Sequence, residues 1–298
     1  MGDAAAASTL PVPRTGQGIA LMLLAIVLFT LMDAVVKGLV DRYPVNQVMF
    51  ARFAGQLIIV GMILNAALPR RVRSRHPWLH LVRALTQLAA SGLFFLSLTR
   101  IGLAEATALS DINPILIVLG AALFLGERLG PRRIIGIAAA FAGALIILRP
   151  GMGVFTPWAV LPLLGACAYA TNALVPRAIG PRESPWPAMF WGAAICTAAT
   201  GLSLPFAHVP IAGDDIWRFV AIGCLGSAAQ LCIIRSFTLA EASAVAPVAY
   251  AGIVLAALWG WLFFGEWPDG WTILGAVVIV ASGLYVWHRE VQAARTTG

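Results

Sequence analysis

Two aspartates stand where an acid is expensive. Asp33 and Asp111 each lie inside a long apolar run, and an ionisable group at membrane depth is costly unless it is paired or put to use. Thr30 precedes Asp33 by about one helical turn and shares its face. That pair suits a substrate ammonium or a proton, while Lys37, four residues on, suits Asp33 equally well as an ion-pair partner. Asp111 and Asn113 come just before Pro114. Proline has no N–H, so it frees a carbonyl one turn earlier, near Ser110. Such a break either builds a polar patch into a cavity wall or satisfies its polar groups locally. Pro247 and Tyr250 are placed to act alike in a later run. Gln87 with Ser91, and Ser227 with Gln230, are spaced to share one helix face each, for solute binding or for bonds between helices. Tyr169, Thr171 and Asn172 form one more polar stretch. Trp191, Tyr250 and Trp259 are deep enough to stack on an apolar solute. The candidate binding set is therefore Thr30, Asp33, Gln87, Ser91, Asp111, Asn113, Tyr169, Asn172, Trp191, Ser227, Gln230, Tyr250 and Trp259. Pro114 and Pro247 are the candidate hinges of gates.

Chemistry of other kinds finds few residues. No Gly-x-Ser-x-Gly or His-Glu-x-x-His element is present. His76, His80, His208 and His288 fall at or near the ends of apolar runs, and Cys167, Cys196, Cys224 and Cys232 lie within runs without metal-ligand spacing. No catalytic residue, metal or cofactor is expected, and an intramembrane enzyme is the weakest of the function classes.

The elements that must position these residues follow from composition. The chain is 60% hydrophobic and 11% charged, with mean hydropathy +0.88. A soluble domain is about half apolar and about a quarter charged, so soluble, disordered, collagen-like and disulfide-framework classes are excluded. The expected fold is an all-α polytopic membrane protein of ten spans, near 17–39, 46–68, 78–99, 103–125, 133–149, 157–178, 186–206, 216–239, 242–264 and 270–288. No cleavable signal is expected, because no apolar stretch precedes Gln17. The net charge of +7 is read as orientation in a bilayer, not as a nucleic-acid surface. A cytoplasmic N-terminus puts thirteen basic residues on that side, among them Arg70, Arg71, Arg73 and Arg75, against five opposite. Both termini are then cytoplasmic. Arg52 and Arg83 lie within spans, near enough to the ends to snorkel. Trp78, Trp158, Trp186, Trp217, Trp267, Trp271 and Trp287 mark span edges, as an interfacial belt does.

The chain also repeats itself. Leu-Ala-Glu-Ala-Thr-Ala at 103–108 returns as Leu-Ala-Glu-Ala-Ser-Ala at 239–244, and Phe124-Leu125-Gly126-Glu127 as Phe263-Phe264-Gly265-Glu266. Gly136 and Gly275 each follow their glutamate by nine residues. Residues 1–16 are read as a tail, 17–149 as one five-helix repeat, 150–288 as a second and 289–298 as a tail. Five is odd, so the copies enter the membrane from opposite sides, and substrate is expected near the midplane between them. Glu105 and Glu241 open spans, where the helix dipole favours acids or where Arg100 and Arg235 are at hand. Glu127 and Glu266 end theirs, where the dipole disfavours acids, and so call for a specific partner. Gly136, Ala140 and Ala144, and Gly275, Ile279 and Gly283, make small-residue faces read as intramolecular contacts, which favours a monomer.

With Pro114 running through Gly126-Glu127 to Gly136, and Arg52 in the second span, the chain resembles the EamA-type members of the drug/metabolite transporter superfamily over nearly its whole length. Pro247 departs from the pattern, lying six residues further from Gly265-Glu266 than Pro114 lies from Gly126-Glu127, and Gly192 stands near the position that would repeat Arg52. Within the superfamily the chain looks most like bacterial YddG-type exporters of aromatic and other neutral amino acids. The resemblance implies a bacterial inner-membrane transporter that exports small neutral metabolites by alternating access, with a small-molecule substrate and the lipid bilayer as partners. Carriers of nucleotide-sugars, lipid-linked solutes or toxic cations are the alternative. A proton is a candidate co-substrate, but facilitated diffusion needs no titratable site, and the sequence does not choose between them. With so few charges left over, the cavity is expected to be mostly apolar and nearly neutral.

Overall fold

The computed structural model describes residues 15–65, 71–72, 74, 76–125, 130–149, 156–179, 185–240 and 242–297. Among these residues every regular element is a helix. In chain order the helices are α1 (Thr15–Val40), α2 (Val45–Leu64), α3 (Pro77–Leu98), α4 (Leu103–Ser110), α5 (Asn113–Leu125), α6 (Pro131–Leu148), α7 (Val160–Ile179), α8 (Pro185–Ser203), α9 (Ile216–Leu239), α10 (Ala242–Val245), α11 (Ala251–Phe264) and α12 (Gly270–Thr297). Nine stretches among the described residues are long and apolar enough to cross a bilayer, and Ile134–Leu148 is a shorter apolar helix.

Two spans expected to be continuous are broken. The fourth is α4 and α5, parted at Asp111 and Ile112, with Pro114 in the first turn of α5. The ninth is α10, a 3-10 turn at Ala246–Tyr250 that contains Pro247, and α11. In both, proline removes a donor that a continuous helix would use. The last helix runs past the expected end at 288 to Thr297. Arg14, Arg70, Arg73, Arg75, Gly126, Glu127, Arg128, Arg182 and Glu241 lie outside the described residues.

The packing follows a pattern. α1 lies along α9 and α3 along α7; α2 meets α9 and α3 meets α8; α1 meets α11 and α5 meets α7; α2 packs on α8 and α6 on α12. Exchanging each span for the one five later turns every one of these pairs into another pair of the set, or into itself. Small residues allow the close approaches. A Cβ on Gly55 would stand 2.7 Å from the Gly223 Cα, which sets α2 directly against α9. On α6 and α12 a Cβ on Gly143 would lie 2.9 Å from the Gly275 carbonyl oxygen. Ala140 and Ile279 are fully buried in that seam, so the small-residue faces close on each other within the chain. A second buried core gathers Met32, Leu39, Phe53, Phe95 and Leu98 where α1, α2 and α3 converge.

Candidate functional site

One end of the bundle is tied shut. Lys37, near the end of α1, is 6% exposed. Its Nζ lies 3.0 Å from Glu266 Oε1, donates to the Ile101 carbonyl at 2.8 Å, and sits 5.5 Å from the centroid of the Phe264 ring. The local chain explains the geometry. Gly265 takes φ +65°, a left-handed turn that glycine makes freely. This ends α11 and lets the Glu266 N–H reach the Gly260 carbonyl at 3.0 Å, so the carboxylate turns back towards α1. Its other oxygen accepts from the Leu103 N–H at 3.4 Å. Lys37 is thus the partner that the dipole argument demands for Glu266, and it is not the partner of Asp33.

Nearby, Arg149 pairs with Asp269. Asp269 also accepts from the Thr272 N–H at 2.8 Å and so caps α12. Burial pushes the Asp269 carboxyl up, but hydrogen bonds from Thr272 and the Arg149 guanidinium outweigh it and hold the group below its ordinary value. Glu105 is in electrostatic range of Arg149, Lys37 and Asp269 and belongs to this cluster, whereas Arg100 lies over the Trp158 ring at 5.5 Å. Asp215 is buried and holds Arg218 at 2.9 Å, Arg42 at 3.4 Å and the Tyr43 hydroxyl at 2.9 Å. A vestibule of about 610 Å³ opens among Lys37, Arg100, Glu105, Arg149, Glu266 and Asp269.

A separate cavity of about 410 Å³ lies within the bundle, in the size range of small-molecule sites. Its wall runs from Asp33 and Phe95 to Ala188 and Met189 at the start of α8 and Ile233 near the end of α9. That is the end where α1 begins, since the Ser236 hydroxyl donates to the Gly18 carbonyl there at 2.7 Å. The cavity therefore extends away from the tied end.

Most of the expected polar residues meet in it: Thr30, Asp33, Gln87, Ser91, Asp111, Asn113, Tyr169, Asn172 and Gln230. Asn172 Nδ2 is also turned to the Arg83 carbonyl at 2.6 Å. Four candidates lie elsewhere. Ser227 donates to the Gly223 carbonyl at 2.7 Å within α9. The Trp191 indole donates to the Val72 carbonyl at 2.9 Å. Tyr250 is buried with its hydroxyl pressed towards Gly283. Trp259 donates to Thr30 Oγ1 at 3.1 Å and stacks on Phe263. The aromatic wall comes from Phe29, Phe94, Phe95 and Tyr169 in their place. Pro114 and Pro247 line no part of the cavity; their effect is on the backbone.

Two further residues alter its character. Arg52 and Arg83 line the cavity and do not snorkel away from it. Arg52 stands seven residues into α2, about 10 Å along the axis at a helix's rise per residue. Its Nη1 donates to Ser91 at 3.1 Å, and its guanidinium lies 4.9 Å from the Phe53 ring centroid and 5.8 Å from that of Phe95. Its Nε is buried without a hydrogen bond among the described residues. Asp33 is within its electrostatic reach. The expectation that Asp33 and Asp111 are nearly the only charges left for the cavity is corrected: two carboxylates and two guanidiniums share it, balanced in number, so the expected near-neutrality holds by balance. A default reading of any intramembrane ionisable residue as functional would have found both arginines.

Comparison with known proteins covers nearly the whole chain. The model of the EamA-like transporter family matches twice, at residues 16–149 and 156–287. A riboflavin transporter of Rhizobium johnstonii is 32% identical over 95% of this chain and 94% of its own length. A pseudopaline exporter of Pseudomonas aeruginosa is 32% identical over 89% and 94%, and an S-adenosylmethionine uptake transporter of Rickettsia felis is 26% identical over 93% and 94%. A solved crystal structure, 21% identical, shares the fold with a TM-score of 0.60 over 92% of this chain and 95% of that one. Long apolar helices around a central cavity are what a small-molecule transporter requires, and the chain belongs to the EamA-like transporter family.

Proposed function

We propose that the chain is an alternating-access secondary transporter of the bacterial inner membrane, with both termini in the cytoplasm, and that it exports small zwitterionic metabolites, amino acids and aromatic ones among them. The observation that carries this reading is the presence of Asp33 and Asp111 together with Arg52 and Arg83 in one cavity that also presents Phe29, Phe94 and Phe95. A zwitterion with an apolar body offers a charge of each sign and a hydrophobic surface. Opposed fixed charges bind it with little net cost, because each substrate charge exchanges water for a ready-made partner.

Alternation is supported by symmetry. Helix pairs map onto helix pairs when the two halves are exchanged, and the family model fits each half in turn. Both support a reading of inverted repeats that rock about a central site. The cavity reaches the end that bears the termini while ion pairs tie the other, as suits a carrier loading from the cytoplasm. On this reading Lys37–Glu266 and Arg149–Asp269 are the outer gate.

A second reading, flavin transport, is favoured by the extent of likeness to the Rhizobium protein. Proteoliposomes containing the purified chain separate the two. Labelled L-phenylalanine, L-leucine, S-adenosylmethionine and riboflavin are offered with and without a pH gradient. The zwitterion reading expects the amino acids, or the amino-acid conjugate S-adenosylmethionine, to move and to compete with one another. Movement of riboflavin that excess amino acid leaves untouched overturns it in favour of the second reading.

A further inference from the structure

The fourth span is broken where its polar atoms have least company. Asp111 Oδ2 and Asn113 Oδ1 are buried, and neither has a hydrogen-bond partner among the described residues. Both residues line the central cavity, as does Ser110. The Asp111 N–H folds back to the Thr107 carbonyl at 2.9 Å and closes α4. Pro114, four residues after Ser110, has no N–H to offer the Ser110 carbonyl. The break thus gathers three kinds of acceptor: a carboxylate, an amide oxygen and the carbonyl end of a half-helix, whose dipole is negative there. Among the described residues no hydrogen bond reaches the Asp111 Oδ2 or the Asn113 Oδ1. Asp111 is in electrostatic range of Tyr169 on α7 and Tyr250 in the 3-10 turn, two neutral hydroxyls, and shares the cavity with Arg83. By contrast Asp33, the other cavity carboxylate, has the Arg52 guanidinium within reach.

Buried acceptors left without donors are unfavourable, and in native proteins they mark a missing partner. Discontinuous spans whose half-helix ends face a midplane cavity are places where transporters coordinate cations. We infer that Asp111, Asn113 and the carbonyl end of α4 form the pole of the cavity that takes a cationic group, an ammonium of the solute or a sodium ion moved with it. An ammonium presents three donors and a full charge to acceptors that have neither. Arg52, with its buried Nε and its Nη1 on Ser91, is left for the anionic end. The inference rests on the proposed solute site only in assigning the ammonium to the transported molecule; the pole itself stands on the break.

The test is binding to the full chain in detergent, so that it does not depend on which solute is transported. The probes are 2-phenylethylammonium and its uncharged counterpart 2-phenylethanol, measured by calorimetry in choline buffer and again in sodium buffer. The wild type is expected to hold the ammonium about tenfold or more tightly over the alcohol, as a charge-assisted bond should. Asp111→Asn, which keeps shape and removes charge, is expected to erase that preference without changing elution as a folded monodisperse species. Asn113→Leu is expected to reduce it several-fold. If sodium buffer abolishes ammonium binding, the pole takes the free ion; if sodium has no effect, it takes the solute's ammonium. Equal affinity for the two probes in the wild type overturns the inference. So does a preference that survives Asp111→Asn but vanishes in Asp33→Asn, which would place the pole on α1. If the pole binds ammonium while proteoliposomes move no amino acid, the proposed substrate class fails and the site stands.

Discussion

Side chains that line the cavity can also hold its walls together. Thr30 does both. Its hydroxyl donates to the Ile26 carbonyl at 2.9 Å and accepts from the Trp259 indole at 3.1 Å, joining α1 to α11. Thr30→Val keeps the volume but strands the indole N–H, which should cost about 1–3 kcal/mol; a thermal melt in detergent would read it as a lowered midpoint. Arg52 faces in. Arg52→Gln should lower amino-acid transport in proteoliposomes at least tenfold, because an anionic solute end loses its partner and Asp33 loses its compensating charge. Arg52→Lys should recover only part, since a point charge does not reproduce the planar guanidinium between Ser91 and the Phe53 and Phe95 rings. These two residues also show how far single positions were legible. Thr30, Asp33 and Asp111 declared themselves as polar groups in apolar runs. Arg52 and Arg83 did too, but counting residues to a span end made them look able to reach water. Which way a side chain points depends on the helix's rotation, and rotation is set by neighbours that the sequence does not place. The same blindness put Trp191 and Trp259 in the cavity, when one bonds to Val72 and the other to Thr30.

At the scale of elements, apolar runs placed nine stretches long enough to cross a bilayer and the shorter helix Ile134–Leu148 among the described residues, because lipid admits few other solutions, although the last helix runs nine residues past its expected end. Prolines gave away the two discontinuities, although composition alone did not show that the helices would actually part at Asp111 and at Ala246–Tyr250. Close helix contacts were legible only where small residues recur in register. The Gly136 and Gly275 faces did so; the Gly55–Gly223 contact, a single glycine on each side, did not. That contact is demanding, because the atom a Cβ would strike is backbone. Gly55→Ala should force α2 and α9 apart and cost about 1–3 kcal/mol, seen as a lower melting midpoint. The α6–α12 pin has a pH signature. Asp269 is held below its ordinary pKa in the folded chain, so it stabilises the fold above its unfolded value and loses that contribution as pH falls through the folded one. Acid below about pH 4 should therefore loosen the pin. Hydrogen exchange at the first turn of α12 should rise there in the wild type, and in Asp269→Asn it should already be raised at neutral pH.

The whole molecule is two halves joined across a cavity that is tied at one end. Its ties run between the halves: Lys37 and Leu103 from one to Glu266 of the other, and Arg149 from one to Asp269 of the other. Loss of a partner in a buried pair leaves an uncompensated charge and is strongly unfavourable. Glu266→Gln should therefore shift the chain towards opening at that end. A cysteine introduced by Ser91→Cys at the cavity wall should then react several-fold faster with an impermeant maleimide added from the side opposite the termini. The exchanged pair Lys37→Glu with Glu266→Lys should return the rate towards its original value. The repeat was visible in the sequence as recurring Leu-Ala-Glu-Ala and Gly-Glu segments, yet not the fact that Glu266 would find the chain's single lysine from the other half. That pairing joins positions 229 residues apart, between segments that share no local pattern. The central claim is that one cavity, opened to each end in turn, carries a zwitterion. Counterflow tests it most directly: proteoliposomes loaded with unlabelled L-phenylalanine are diluted into labelled L-phenylalanine, and internal label is followed with time. The account predicts a transient accumulation above equilibrium that excess L-leucine suppresses and that Arg52→Gln lacks. Label that merely equilibrates at the rate of protein-free vesicles, for L-phenylalanine and L-leucine alike, would contradict it.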